Sequence, residues 1–376
     1  MFSGRLKSTK VVFILVAIIP VFYMFAQIAN FSIFYAVKDI IFLILVPFFL
    51  YMRVHIYALL SILLYLLVNV YALFISLDDP LLYILSLREM LFYPVFGVLL
   101  GVFFSKHNSS RYIFYIAIAY MFFTYLYLLI YPEISFGSTN RLKSLWDREH
   151  EPAFVGAVVF FGGLFILKNK KAKVLIISLA VGLLLLSGSR SALLGLFVSV
   201  FFIYLRGASF VKLSILFATF FFTFIFFTTI TYADRSVDHN LESRLNQYDL
   251  ALNALVDTAF LGLGTDKYGV VSGVVNKSFC MDGDCTTTMD SSLLKYLVNY
   301  GVSYLFILIF MFYHMFTLYK RGVDNESGFL ISVLIFGFVA GFFTGKLGAF
   351  PLNIFFYSSF GAIFLSIKDK SLNELR

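Results

Sequence analysis

The residues with the clearest chemical potential sit in SGSRSALL, Ser187–Leu194. An apolar segment, 174–186, runs into this stretch and another, 192–205, runs out of it. Lys168, Lys170, Lys171 and Lys173 precede the first arm, and Arg206 and Lys212 follow the second. Lys and Arg collect at the cytoplasmic ends of membrane helices, so both clusters face one side and the chain crosses the bilayer twice between them. Ser187–Ser191 then form the tip of that hairpin. Each arm is about 15 residues long against the roughly 20 of a full span, which holds Arg190 at or slightly below the outer boundary of the hydrocarbon layer. A cation at that depth is costly and usually functional.

Two further spans carry charges written as neighbours, Lys38–Asp39 and Arg88–Glu89. Both cations fall about 11 Å below the outer edge at 1.5 Å per residue, and Arg190 approaches the same depth from its hairpin. Each could be neutralised by the carboxylate beside it or by a neighbouring helix. Convergence of three cations near one leaflet points instead to an anionic, lipid-linked ligand. A diphosphate on a polyprenyl tail fits: the head needs cations and the tail needs an apolar groove.

The outer loops supply polar groups. Arg141, Arg148, Glu149, His150 and Glu151 crowd the start of the sixth apolar run, Arg244 projects from a loop helix, and Asp290 sits just before the tenth run. Sugar transfer needs a carboxylate or His to take a proton from an acceptor hydroxyl and cations to stabilise a leaving diphosphate. Most such loop charges in any protein are merely solvated, but Asp290 and Arg244 adjoin structured elements. Trp146, Tyr248 and Tyr268 could stack on sugar rings. No His/Cys/carboxylate set has metal-binding spacing, and no cofactor is expected. Cys280 and Cys285 enclose Met-Asp-Gly-Asp, and in an oxidising outer loop a small disulfide is favoured over a metal site.

These residues need a scaffold, and the composition says which. Of 376 residues, 61% are hydrophobic and 13% charged, with a mean hydropathy of +0.91, so the chain is a polytopic membrane protein. Its net charge of +8 is explained by span ends and not by nucleic acid. The expected spans are 11–28, 31–51, 56–76, 81–104, 112–131, 153–167, 174–187, 191–205, 213–232, 293–319, 329–345 and 351–367. The first lacks a small-residue cleavage site and is expected to be retained. Lys/Arg bias in short loops places both termini inside. The expected fold is one all-α bundle of about 12 transmembrane helices, with outer loops at 132–152 and 233–292. In the larger loop, Leu241, Leu245, Tyr248, Leu252, Leu255 and Ala259 recur at helical spacing, predicting an amphipathic helix stopped by Gly262.

The ordered set of motifs resembles the bacterial O-antigen polymerases and the related O-antigen ligases. Arg141 with EPAFVG (Glu151–Gly156) is similar to the family's Arg…Glu-Pro opening of a span. SGSRSALL carries an Arg-x-x-x-Leu hairpin, Arg244 to Gly262–Gly264 resembles the large-loop helix and glycine turn, and MDSSLLKYLVNYG resembles the start of the following span. Ligases of this superfamily usually carry a His eleven residues before that last glycine; Asp290 stands there, which favours polymerase. The resemblance implies a metal-independent, inverting glycosyltransferase of GT-C type, facing the periplasm from the bacterial inner membrane. Donor and acceptor would be undecaprenyl-diphosphate-linked glycans, with membrane lipid and a chain-length regulator protein as partners. On the reading that joins this resemblance to the charges within the spans, Asp290, Arg190 and Arg244 serve catalysis, and Lys38, Arg88, Arg141, Arg148, Glu151 and Tyr248 bind diphosphate or sugar. Other surface or capsular polysaccharide polymerases are close alternatives. A flippase for lipid-linked oligosaccharides is the alternative from a different class, disfavoured because its charges would gather near the midplane.

Overall fold

The computed structural model describes residues 2–29, 31, 33–50, 54–75, 87–105, 109–136, 141–146, 150–205, 248–249, 251–264, 279–281, 284–286, 291–321, 324–343 and 350–374. Helices dominate them: α1 (Phe2–Ala17), α2 (Ile19–Ala29), α3 (Ile33–Leu50), α4 (Ile56–Ile75), α5 (Tyr93–Ser105), α6 (Ser109–Ile130), α7 (His150–Phe165), α8 (Lys170–Ser187), α9 (Arg190–Leu205), α10 (Ser292–Tyr300), α11 (Val302–Arg321), α12 (Asn325–Phe343) and α13 (Leu352–Glu374). A π-helical turn, Arg88–Phe92, leads directly into α5. One short antiparallel hairpin, β1 (Phe279–Met281) with β2 (Asp284–Thr286), is a small addition to the expected all-helical fold.

The expected run 213–232 lies outside the described residues; the described parts of the other runs coincide with helix. Two runs are divided. The first breaks at Ile18, where Pro20 removes the N–H that would have bonded back to Val16. The tenth, continuous in hydropathy, breaks at Gly301 into the short α10 and the long α11. Among the described residues five stretches are long and apolar enough to cross a membrane: Ser8–Ala29, Ile56–Phe74, Arg111–Ile130, Val302–Lys320 and Asn325–Phe342. Met90–Ser105, His150–Phe165, Arg190–Tyr204 and Leu352–Phe364 are shorter apolar helices.

Burial separates centre from periphery. The window of α12 is 78% buried, against 33% for those of α4 and α11. On α4, Leu59, Leu63, Leu67 and Val70 stand exposed, and on α11 Phe306, Ile309 and Tyr313 do. So broad an apolar surface is compatible with lipid and not with water. The tightest packing joins α5 to α13. A Cβ at Gly101 would overlap the Ser358 carbonyl, and one at Gly361 would overlap that of Val98. Removing side chains where helices cross lets their backbones touch, the usual means of helix association in lipid.

Lys168 lies in the short link between α7 and α8 and Lys170, Lys171 and Lys173 in the first turn of α8, which the Asn169 side chain caps by accepting from Lys171 N–H (3.0 Å) and Ala172 N–H (3.3 Å). The opposite end of α8 carries Ser187–Ser191.

Candidate active site

The hairpin tip is built by its serines and one glycine. Gly188 ends α8 in the left-handed region (φ 60°, ψ 23°), where a Cβ is disfavoured. Ser189 then starts α9: its Oγ accepts from Ala192 N–H at 3.4 Å, the bond of an N-cap. Ser189 Oγ also lies 3.2 Å from Ser191 Oγ. Arg190 is therefore the first helical residue of α9, and its half-buried side chain is held between two buried serines.

The described residues between α6 and α7 fold onto that tip. Lys143 and Ser144 N–H both donate to Ser135 O (2.8 Å each), and Ser144 Oγ donates to Thr124 O (2.8 Å). Trp146 Nε1 donates to Thr124 Oγ1 at 2.9 Å, and its ring packs among Tyr23, Tyr120 and Phe350. Trp146 is fully buried, so the expectation that it stacks on a sugar is corrected: it anchors the loop. Leu142 N–H donates to Leu186 O (2.9 Å), which lays the Arg141 side chain over Gly188, 3.4 Å from where a Cβ would stand. His150, at the start of α7, places Nδ1 3.1 Å from Ser189 Oγ. Glu151, beside it, is buried. Arg141 and Glu151, read from one motif, and Arg190, read from another, thus lie at one end of the bundle.

Lys38, Asp39 and Arg88 occupy the same end. Asp39 bridges helices: Tyr93 O–H donates to its Oδ1 at 2.8 Å, and Arg88 lies 3.8 Å from its Oδ2. The charges written as sequence neighbours are thus partly paired between α3 and the π-turn. Lys38 is buried, with Nζ 5.5 Å from the centre of the Tyr23 ring. It lies within electrostatic range of Asp39, Arg88 and Glu151, linking this group to the start of α7.

The glycine turn and the broken span form one unit. Leu263 N–H donates to Val298 O (2.8 Å), Gly264 N–H to Asn299 O (3.0 Å) and Val302 N–H to Phe260 O (2.8 Å). Gly262 (φ 91°) and Gly301 (φ 61°) permit this approach. The loop helix before the turn is seen at residues 248–249 and 251–257; it stops ahead of Gly262, and its packed face is Ala251, Ala254 and Leu255. Leu252 is 56% exposed, so the packed face is rotated from the one expected. Tyr248 is half-buried and stacks on Phe342 (centroids 6.1 Å apart). Arg148, Arg244, Tyr268 and Asp290 lie outside the described residues. In the β-hairpin the register sets Cys280 opposite Cys285.

The sequence placed His150 among the polar groups at the start of the sixth run without assigning it a role; its contact with Ser189 comes from the structure. Among the described residues no group of three or more His, Cys, Asp or Glu could hold a metal ion. The arrangement is suited to an anion: cations set around polar hydroxyls at the end of an apolar bundle.

Residues 174–309 match the family model described as O-antigen ligase. Over that stretch the chain is similar to the O-antigen ligase family, consistent with the O-antigen polymerase and ligase superfamily. The matched segment contains the hairpin tip, the glycine turn and all of α10. No curated protein matches the chain. That family acts on glycans at the membrane, which suggests a lipid-linked glycan as the class of substrate.

Proposed function

We propose that the chain is an O-antigen polymerase, joining undecaprenyl-diphosphate-linked repeat units at the periplasmic face of the inner membrane. The observation that carries this reading is the meeting of Arg141, His150, Glu151 and Arg190 at one hairpin tip, with Lys38 and Arg88 at the same end. The Lys168–Lys173 cluster lies at the other end of α8 and supports placing the tip outside. Both termini are then cytoplasmic, and the bundle is a GT-C-like scaffold of about 12 helices, the count expected from the sequence.

In this mechanism Arg190 and Arg244 grip the donor diphosphate, with Arg141, Lys38, Arg88 and Arg148 adding positive potential. Glu151 and Tyr248 contact the sugars. A hydroxyl of the incoming unit attacks the anomeric carbon of the growing chain from the face opposite the diphosphate. The anomeric C–O bond breaks, its electrons pass to the departing polyprenyl diphosphate, and the hydroxyl proton passes to the Asp290 carboxylate. Inversion follows from the single displacement. Arginine suits the grip because its planar fork meets two phosphate oxygens at once.

Ligase chemistry is the second reading, favoured by the family description; Asp290 in place of the ligases' His favours the polymerase. A lipopolysaccharide gel from a deletion strain separates them. A core carrying a single repeat unit is the expected result, bare core would indicate ligase or flippase, and an unchanged ladder would sink the proposal. Purified protein in detergent should also lengthen lipid-linked units, which a flippase cannot do.

A further inference from the structure

The short helix α10 is amphipathic in an unusual sense: its polar side faces the protein. Ser292, Lys295, Tyr296, Asn299 and Tyr300 recur at three and four residues, share one face and are all buried. The helix packs on α4, α11 and α12. Tyr296 packs on Tyr304 (5.3 Å between centroids), Tyr65 lies edge-on to Tyr357 (5.9 Å), and these tyrosines are all within mutual electrostatic reach. The apolar side, Leu294, Leu297 and Val298, is covered by Ala251, Ala254 and Leu255 of the loop helix together with Leu263.

Tyrosine and asparagine could serve simply as polar glue between helices. Two features exceed that role. Lys295 carries a cation at 5% exposure, its Nζ 5.8 Å from the Tyr296 ring centre; such burial is costly and marks functional positions inside membranes. One turn further on the same face, the Oδ1 of Asn299 is buried with no hydrogen-bond partner among the described residues. A neighbouring polar residue ties this face to the known cations: Asn69 Nδ2, on α4, donates to Tyr65 O (2.8 Å) and to Met90 O (3.2 Å), inside the π-turn that begins with Arg88. A reaction between two lipid-linked diphosphates has two dianionic heads to hold, and the hairpin tip accounts for one.

We infer that the inward polar face of α10, centred on Lys295 with Asn299 beside it, is a second diphosphate-binding site, taking the head of the other lipid-linked substrate. Lys295 supplies the charge. The Asn299 amide and the tyrosine hydroxyls hydrogen-bond the phosphate oxygens and the first sugar. This assignment rests on the polymerase reading, because only a reaction of two carrier-linked substrates requires a second head site.

The test is equilibrium titration of the full chain in lipid nanodiscs with undecaprenyl diphosphate and, separately, inorganic pyrophosphate. Wild-type protein should bind two molecules of the lipid per chain. Lys295→Gln should bind one, and Lys295→Arg should restore the second. Asn299→Leu, which keeps the size and serves if the lysine variants do not fold, should weaken the second event about tenfold. Loss in the lipid arm alone identifies a carrier head, and loss in both arms a diphosphate site indifferent to the tail; either supports the site. One lipid bound by wild type, or two bound with unchanged affinity by Lys295→Gln and Asn299→Leu, overturns it. Wild-type protein that binds no lipid diphosphate overturns the polymerase reading itself.

Discussion

His150 Nδ1 lies 3.1 Å from Ser189 Oγ, joining the start of α7 to the cap of α9. Ser189 in turn holds the first turn of α9 through Ala192 N–H. The imidazole therefore reaches Arg190 through the backbone that Ser189 fixes, as a positioning residue. Loss of one such hydrogen bond is worth about 1 kcal/mol, so His150→Ala should slow polymerisation by about fivefold to tenfold. Asn places a donor or acceptor near the position of Nδ1 and should recover most of the rate, while Gln, reaching further, should not. Initial rates of chain extension check this. Equal inactivity of the Ala and Asn variants would show that the ring transfers a proton instead.

Arg190→Ala should leave the protein inserted and monodisperse while long polysaccharide disappears. Removing one preorganised donor to a developing anion costs about 100-fold in comparable sites. Arg190→Lys should remain impaired, because an ammonium cannot engage two oxygens in one plane. Chain-length distributions on gels, beside a membrane-fraction blot, provide the measurement. Wild-type ladders from Arg190→Ala would remove this residue from the mechanism.

How much of this site was legible in the sequence differs from residue to residue. SGSRSALL was readable because basic clusters bracket two short apolar arms, and the geometry of that hairpin follows from charge and length. The break at Gly301 was hidden: Leu293–Thr317 is continuous in hydropathy, and a single glycine in a membrane run carries no special signal. The polar face of α10 was hidden for the same reason, since its other side is leucine and valine. The pairing of Asp39 with Arg88 takes one of the two alternatives left open by the sequence, a partner on another helix, which adjacency to Lys38 and Glu89 could not decide. Trp146 resembled a sugar platform because an aromatic in an outer loop is usually exposed, but its indole N–H finds Thr124 inside the bundle.

The Asp39–Arg88 pair tests whether its cation serves stability or substrate. The Arg88 side chain is 54% exposed, and a pair so open to solvent contributes at most about 1 kcal/mol. Arg88→Gln should thus leave thermal stability nearly unchanged while raising KM for the lipid-linked unit severalfold. Asp39→Asn should be milder on KM, since the cation remains. Equal losses of stability without any change in KM would mean that both residues only fasten α3 to the π-turn.

Cys280 and Cys285 sit opposite each other in the hairpin register, flanking Asp282-Gly283, a pair favoured in two-residue turns. On an oxidising face they should form a disulfide. Protein purified without reductant should take up no maleimide after denaturation and two equivalents after reduction. Labelling without reductant would place these thiols on the reducing side, and with them the loop and the site.

Gly301 tests whether the joint between α10 and α11 matters as a joint. Its backbone angles, φ 61° and ψ −150°, belong to a region essentially reserved for glycine, where another residue is strained by about 1–3 kcal/mol. A Cβ would also run into the backbone of Phe260 and Leu261. Both problems are relieved if the Phe260–Gly264 turn lifts away, breaking the bonds to Val298, Asn299 and Val302. Gly301→Ala should therefore act locally. Hydrogen exchange should rise at Val302, Leu263 and Gly264, extension should fall by at least tenfold, and α5–α13, packed elsewhere, should stay protected. A uniform rise across the bundle would mean that the glycine holds the fold, and no rise at those three amides would mean that the turn does not depend on it.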